Sequence, residues 1–170
     1  MTITLHSYFE GLERSLATLD HILDKAAAHA AEQGVEPAQM LGWRLIDDMH
    51  PLAFQACVVR NFVASWVARA HGSELPADLN WESVDFATLR AEIADSLVAV
   101  RALLPDVVNA AAEQPMTVKI GDIMEPTLPL ERWVSVFVRV NVDFHLSMAY
   151  AIMRHHGVPL GKLDMFPTGL

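Results

Sequence analysis

Apolar residues recur at intervals of three and four along most of the chain, which is the spacing of one face of an α-helix. The first such segment runs from Leu5 to Gln33, and Gly34 is a residue suited to end it. Glu36 and Pro37 predict a short turn of helix after it. The apolar face of this first helix consists of Leu5, Tyr8, Phe9, Leu12, Leu16, Leu19, Ile22, Leu23 and Ala26.

Two further helices are predicted in the middle of the chain. The second begins near Asp48 or His50, with Asp48 as a candidate N-cap, and runs to about His71. A loop from Ser73 to Asp85 follows, and Asp85 can cap the third helix. Pro105 is expected to end or kink that helix. The apolar positions of the third helix are Phe86, Leu89, Ile93, Leu97, Val100 and Leu104.

The pattern changes after the third helix. Within residues 116–128, apolar and polar residues alternate from Thr117 to Ile120 and Gly121-Asp122 can form a turn, which predicts a small β-hairpin. A fourth helix is predicted from about Leu130 to His156, stopped by Gly157. Four long helices indicate an all-α fold, a four-helix bundle with a long connection between helices 2 and 3 and a small hairpin before helix 4. We expect residues 1–170 to form a single domain.

Composition narrows the function classes. Apolar residues make up 52% of the 170 residues, which is too many for a disordered chain. The formal net charge of −9 argues against general nucleic-acid binding, which depends on cations that contact phosphates. No stretch is apolar and uncharged for long enough to predict a transmembrane helix, and the first residues do not resemble a signal peptide. We therefore expect a cytoplasmic protein with a wide buried core, a part of which could be a subunit interface.

Candidate chemistry is concentrated on the fourth helix. Asn141 and His145 are one turn apart on an otherwise apolar face that also carries Phe137, Met148 and Ile152. Polar groups on such a face need a hydrogen-bond partner. They could bond each other or the core backbone, ligate a metal, or contact a small ligand in the bundle. Spacing alone favours the structural interpretation.

His50 adds a second imidazole to that hypothesis. It precedes Pro51 at the start of the second helix, from where it could point into the mouth of the bundle and meet His145. Two imidazoles and an oxygen donor would make a weak, open site for a metal such as Zn or Ni. We therefore take His50, Asn141 and His145 as the candidate ligand-binding residues, His50 and His145 as candidate metal ligands, and His145 as the candidate catalytic residue.

The sequence contains no other motif that indicates a catalytic or metal-binding site. The single cysteine, Cys57, excludes an intrachain disulfide and reads as a small buried apolar residue rather than a nucleophile. The glycine-rich, hydrolase and zinc-protease signatures that carry well-known chemistries do not occur.

Three blocks of sequence resemble the DUF1993 family, a branch of the DinB/YfiT-like four-helix-bundle superfamily. The most specific block is Asn141-Val-Asp-Phe-His145 with the segment from Ala149 to Asp164 that follows it. Residues 47–55 match as well, as does the opening helix that ends near Gly34. The resemblance implies a DinB-like bundle that is commonly a homodimer.

The resemblance also implies a metal centre of three histidines, one from the second helix and two from the fourth. His145 matches one histidine of the fourth-helix pair, Asn141 stands where the other is expected, and His50 lies near the place of the second-helix histidine. A divalent metal such as Zn or Ni is therefore expected to bind weakly or not at all. The resemblance makes this chain a relative of thiol- or metal-dependent transferases and hydrolases, but the thiol-dependent transferase and isomerase activities of some DinB-like proteins are not carried over to it, because one ligand is replaced.

Two functions remain open at this stage. In the first, the bundle holds a small ligand or a degenerate metal site around His50, Asn141 and His145. In the second, the protein is a non-catalytic dimer in which Asn141 and His145 form a structural hydrogen-bonded pair. Neither hypothesis includes a nucleic acid or a membrane as partner.

Overall fold

The computed structural model describes residues 3–169, and their architecture is the predicted bundle. Four long helices surround one apolar core, and two-stranded and short helical elements fill the connections. The elements are α1 (Leu5–Glu32), α2 (Pro37–Leu41), α3 (Leu52–His71), α4 (Phe86–Arg101), α5 (Pro105–Ala110), β1 (Pro115–Thr117), β2 (Thr127–Pro129), α6 (Leu130–Trp133), a π-helical turn (Val134–Val138), α7 (Arg139–His155) and a 3₁₀ turn (Lys162–Met165).

Each long helix packs against two neighbours. Helices α1 and α3 both contact α4 and α7, so the order around the bundle is α1, α4, α3, α7. Within the described part of the chain, no helix is both long enough and apolar enough to cross a membrane.

The helix ends follow the expected local rules. Asp85 caps α4 by accepting a hydrogen bond from the Thr88 amide at 2.7 Å. Gly157 ends α7 with a φ of +85°, a left-handed backbone conformation that favours glycine. The prediction that Asp48 caps α3 is wrong, because Pro51 occupies the N-cap position.

The connection from α3 to α4 is long but fixed. The side-chain amide of Asn61 on α3 forms two hydrogen bonds with the backbone of Leu79. Its oxygen accepts from the Leu79 N–H at 2.9 Å, and its nitrogen donates to the Leu79 carbonyl at 3.2 Å. Arg60 donates to the Ala77 carbonyl at 3.0 Å. These bonds place Trp81, which comes two residues later, against the start of α3.

The predicted hairpin forms as β1 and β2, which pair antiparallel with Met116 opposite Leu128. Its tip is closed by an isolated bridge between Ile120 and Met124 around Gly121. The hairpin is anchored on the last helix, since the indole nitrogen of Trp133 donates to the Met116 carbonyl at 2.8 Å.

The C-terminal segment is held on α1. The carboxylate of Asp164 lies 2.8 Å from both Lys25 Nζ and His21 Nε2, and it accepts a bond from the Gly161 amide at 2.7 Å. The Lys25 bond, with those from Gly161 and His21, holds the pKa of Asp164 well below its usual range. This contact was not predicted, because it joins residues that are far apart in the chain.

Candidate functional site

His145 is oriented by a buried glutamine of the neighbouring helix. Its Nδ1 atom lies 2.7 Å from Oε1 of Gln55, whose residue is only 4% exposed. The amide nitrogen of Gln55 is already used, because it donates to the His50 carbonyl at 3.3 Å. The oxygen of Gln55 therefore faces His145, and Nδ1 must carry the proton that it accepts. The Nε2 atom of the neutral ring is left with a lone pair.

Aromatic rings surround this imidazole. Phe54 lies edge-on to His145 with ring centroids 5.8 Å apart, and Phe144 does so at 5.1 Å. The His50 ring stacks on Phe54 at 3.9 Å, and Trp81 meets both of these rings edge-on. We call His50, Phe54, Trp81, Phe144 and His145 the aromatic cluster. It provides flat apolar faces next to one proton acceptor.

The surroundings of His145 favour its neutral form. Burial lowers the pKa of its imidazole below 6.5, and the nearby His50 lowers it further. His145 is consequently neutral at pH 7, which keeps the Nε2 lone pair available as a hydrogen-bond acceptor or base.

Asn141 does not bond to His145, so the predicted hydrogen-bonded pair is wrong. Its amide nitrogen instead donates to the Phe137 carbonyl one turn earlier, at 2.7 Å. Both side chains are half-buried rather than at the core. The buried stripe of this helix lies mostly one position further on and consists of Val134, Val138, Val142, Leu146, Ala149, Ile152 and Met153, of which only Ile152 belongs to the predicted face. The periodicity fitted both stripes, because the helix is apolar on most of its circumference.

His50 belongs to the aromatic cluster but lies on its solvent-exposed side. It is exposed, and its ring lies on the face of Phe54 on the side of Trp81. The structure therefore brings His50 and His145 against the same ring, that of Phe54, with His50 stacked on it and His145 edge-on. Among residues 3–169 there is no group of three or more His, Cys, Asp or Glu side chains that could hold a metal ion. The residues present do not fit a three-histidine metal centre.

Sequence analysis missed Gln55, Phe54 and Trp81. Gln55 carried a usable signal, since it is a polar residue among Leu52, Ala56 and Val59 on the buried face of α3. Trp81 carried none, because it lies in a connection whose path depends on the Asn61 and Arg60 contacts described above.

The comparisons with known proteins agree with this architecture. The model of the family described as "Domain of unknown function (DUF1993)" matches residues 6–166. The chain belongs to the DUF1993 family. A crystal structure of a DinB family member from Shewanella denitrificans is similar, with a TM-score of 0.81 and 26% sequence identity over 95% of this chain and 90% of that one. No curated protein matches the sequence.

In this DUF1993 protein the cysteine is not part of the site. Cys57 is 1% exposed on α3, and burial raises the pKa of its thiol to about 11. The thiol is therefore protonated at neutral pH and packs as an apolar side chain.

Proposed function

We propose that this DUF1993 protein binds a small organic ligand at the aromatic cluster, with Nε2 of His145 as the hydrogen-bond acceptor. The single observation that carries the proposal is the chain of bonds from the His50 carbonyl through Gln55 to His145 Nδ1. A buried glutamine with both ends used fixes the tautomer and the direction of the ring. Such fixation is typical of an imidazole that meets a ligand.

The surroundings indicate what the ligand carries. Phe54 and Trp81 offer ring faces and edges to an aromatic or apolar body. The Nε2 lone pair needs a donor, which an O–H, N–H or S–H group would supply. If the bound group loses its proton, His145 is the residue that takes it, which makes it the candidate general base. The proposal requires no metal.

Binding is tested with two matched probes, phenol and toluene, which differ by the donor. We expect phenol to shift the NMR signals of Trp81 and His145 at lower concentration than toluene. The variant His145→Ala should weaken phenol binding severalfold and leave toluene binding nearly unchanged. The control variant His71→Ala removes an exposed histidine at the end of α3 and should bind phenol normally. Equal binding of both probes, or phenol binding that survives His145→Ala, would contradict the proposal.

The role of Gln55 is tested by replacing it with a charged side chain. The variant Gln55→Glu places a carboxylate next to His145 and should raise the pKa of the imidazole by about one unit or more. Gln55→Met removes the acceptor without adding charge and should not raise it. Both are measured by following the His145 ring protons in an NMR titration. A pKa that is the same in Gln55→Glu and in the unmodified protein would show that the two side chains do not interact.

The lowered pKa of His145 in the unmodified protein predicts how its stability depends on pH. The folded-state pKa of His145 lies below the ordinary value of 6.5, so below that pH the unfolded chain binds more protons than the folded one. The contribution of His145 to stability is therefore complete above pH 6.5 and decreases as the pH falls towards the folded-state pKa. In Gln55→Glu this dependence should become weaker than in the unmodified protein, because the carboxylate raises the folded-state pKa of His145.

A second candidate function, homodimer formation, is favoured by one exposed face of the last helix. Val136, Val140 and Phe144 follow one another at intervals of four and are 42%, 61% and 55% exposed. Arg139 and Asp143 lie together on one flank of this stripe, 3.4 Å apart. Two copies related by a two-fold axis, with these helices antiparallel, would place each Arg139 opposite Asp143 of the partner subunit. The charges are thus complementary to a second copy of the same surface.

This candidate predicts twice the chain mass in light scattering after size exclusion. Val140→Glu should restore the mass of one chain, because it places two like charges at the centre of the contact. Val98→Glu makes the same change at an exposed valine on α4 and should have no effect. A single-chain mass for the unmodified protein at high concentration would refute the dimer.

A further inference from the structure

A cavity of about 410 Å³ opens between α3 and the residues that follow β1, and none of its lining residues belongs to the aromatic cluster. Its wall on the α3 side begins at Val58 and ends at Arg69, and Phe137 of the last helix closes one side. Its volume is within the range of small-molecule sites. The residues that give it chemical character are Arg69, Asp78, Phe62, Trp66 and Phe137.

Arg69 is the cation of this cavity. Its guanidinium lies over the Trp66 ring at 5.0 Å, and Nη1 donates to the Ser65 carbonyl at 3.2 Å. Burial lowers the pKa of Arg69 and the nearby charge of Asp78 raises it, but among residues 3–169 no carboxylate forms an ion pair with Arg69 within 4.0 Å. The guanidinium is therefore half-buried without a paired anion, although it has donors left to offer.

Asp78 is the anion of the same cavity and comes from the connection between α3 and α4. It is held near by the bonds of Arg60 and Asn61 to residues 77 and 79, on either side of it. Lys119 also lines the cavity, but its charge is matched by Asp122 at 2.9 Å. A cation and an anion that face one cavity without pairing directly leave room for a molecule that carries both charges.

The remaining wall is aromatic. Phe62 and Phe137 lie with ring centroids 5.7 Å apart, and Trp133 lies behind Phe137 at 5.5 Å. Trp66 adds the ring on which Arg69 rests. A ligand whose charged ends meet Arg69 and Asp78 would have its apolar part against these rings.

We propose that this cavity binds a small zwitterion with an apolar side chain, of the class of the α-amino acids. The ligand's carboxylate accepts from the Arg69 guanidinium, its ammonium donates to Asp78, and its side chain packs on Phe62 and Phe137. This site is separate from the aromatic cluster, so the two proposals can fail independently.

Three probes separate the contributions of the two charges: phenylalanine, 3-phenylpropanoate, which lacks the ammonium, and phenethylamine, which lacks the carboxylate. We expect isothermal titration calorimetry to show phenylalanine as the tightest of the three, by roughly tenfold over each of the others, which is about the difference made by one charged hydrogen bond. Arg69→Gln should weaken phenylalanine and 3-phenylpropanoate by a similar factor and leave phenethylamine unchanged. Asp78→Asn should weaken phenylalanine and phenethylamine and leave 3-phenylpropanoate unchanged.

Control variants separate binding from folding. Arg101→Gln removes an exposed arginine that pairs with Glu13 and should leave all three affinities unchanged. His145→Ala should also leave phenylalanine binding unchanged, since it alters the other site. If Arg69→Gln fails to fold, Asp78→Asn with the three probes decides the outcome. Phenylalanine that binds no tighter than the two single-charge probes, or that does not bind at millimolar concentration, overturns the proposal.

Discussion

Replacing Trp133 with alanine is expected to lower the free energy of unfolding by about 3–5 kcal/mol, the range for removing a large aromatic side chain from a core. Trp133 is 1% exposed, and its ring packs on Trp66 and Phe137. It also holds the hairpin through its bond to the Met116 carbonyl. A loss of this size is a large share of the ~5–15 kcal/mol by which a domain is stable. Urea unfolding followed by far-ultraviolet circular dichroism measures it.

The control for this prediction is Trp133→Phe. It keeps an aromatic ring in the core but removes the indole donor, so it should cost about 1–2 kcal/mol for the lost hydrogen bond and the smaller ring. Equal losses for the two variants would show that the hydrogen bond to Met116, rather than packing, is the main contribution of this residue.

The second large effect is expected from Glu92→Gln on α4, at about 2 kcal/mol. Glu92 forms an ion pair with Arg60, a residue that is 6% exposed, and the substitution would leave the buried guanidinium without a counter-charge, with only neutral oxygens as acceptors: that of the introduced amide, the Ala77 carbonyl and the Asn61 amide oxygen. Breaking a fully buried pair costs about 3–5 kcal/mol, and we expect less here because the Glu92 side chain is 34% exposed.

Two comparisons interpret this loss. Glu13→Gln breaks the more exposed pair with Arg101 and should cost less than about 0.5 kcal/mol. The double variant Arg60→Met with Glu92→Met removes both charges and should be more stable than Glu92→Gln, since apolar replacements leave no unpaired charge. A Glu92→Gln variant as stable as the unmodified protein would show that solvent, not Glu92, satisfies Arg60.

The fold could be predicted because its determinants are local in sequence. The four long helices follow from apolar spacing, and their ends follow from residues such as Gly34, Asp85 and Gly157, whose effect does not depend on distant contacts. The hairpin was predicted by alternation around Gly121. The N-cap of α3 was predicted wrongly, because Pro51 takes the position that Asp48 would otherwise fill.

The site could be predicted only in part. His145 stood out as a polar residue on an apolar helix, but its partner is 90 residues away in the chain, and nothing local distinguishes Gln55 from Asn141 as that partner. The position of Trp81 depends on Arg60 and Asn61 of α3, which form hydrogen bonds with the backbone of the connection between α3 and α4. Pairings of this kind become visible only when the helices are packed, which is why the bond between Asn141 and His145, one of the alternatives left open by the sequence, is not the one that forms.

The π-helical turn at Val134–Val138 has a consequence for insertions and deletions in this chain. A π turn contains one residue more than the α-helical turn that it replaces. If this turn were regular α-helix with all its residues kept, everything after it would be rotated by about 100° relative to Trp133, because an α-helix has 3.6 residues per turn. Trp133 on the hairpin side and Val142 and Leu146 beside His145 could then not all be buried as they are. Deleting one residue from Val134–Val138 should therefore leave both sets buried, because the shorter α-helical turn spans the same rotation, whereas deleting one residue of α7 before Val142 should not. The two proposed sites, although separate in their ligands, are thus set in register by a single extra residue.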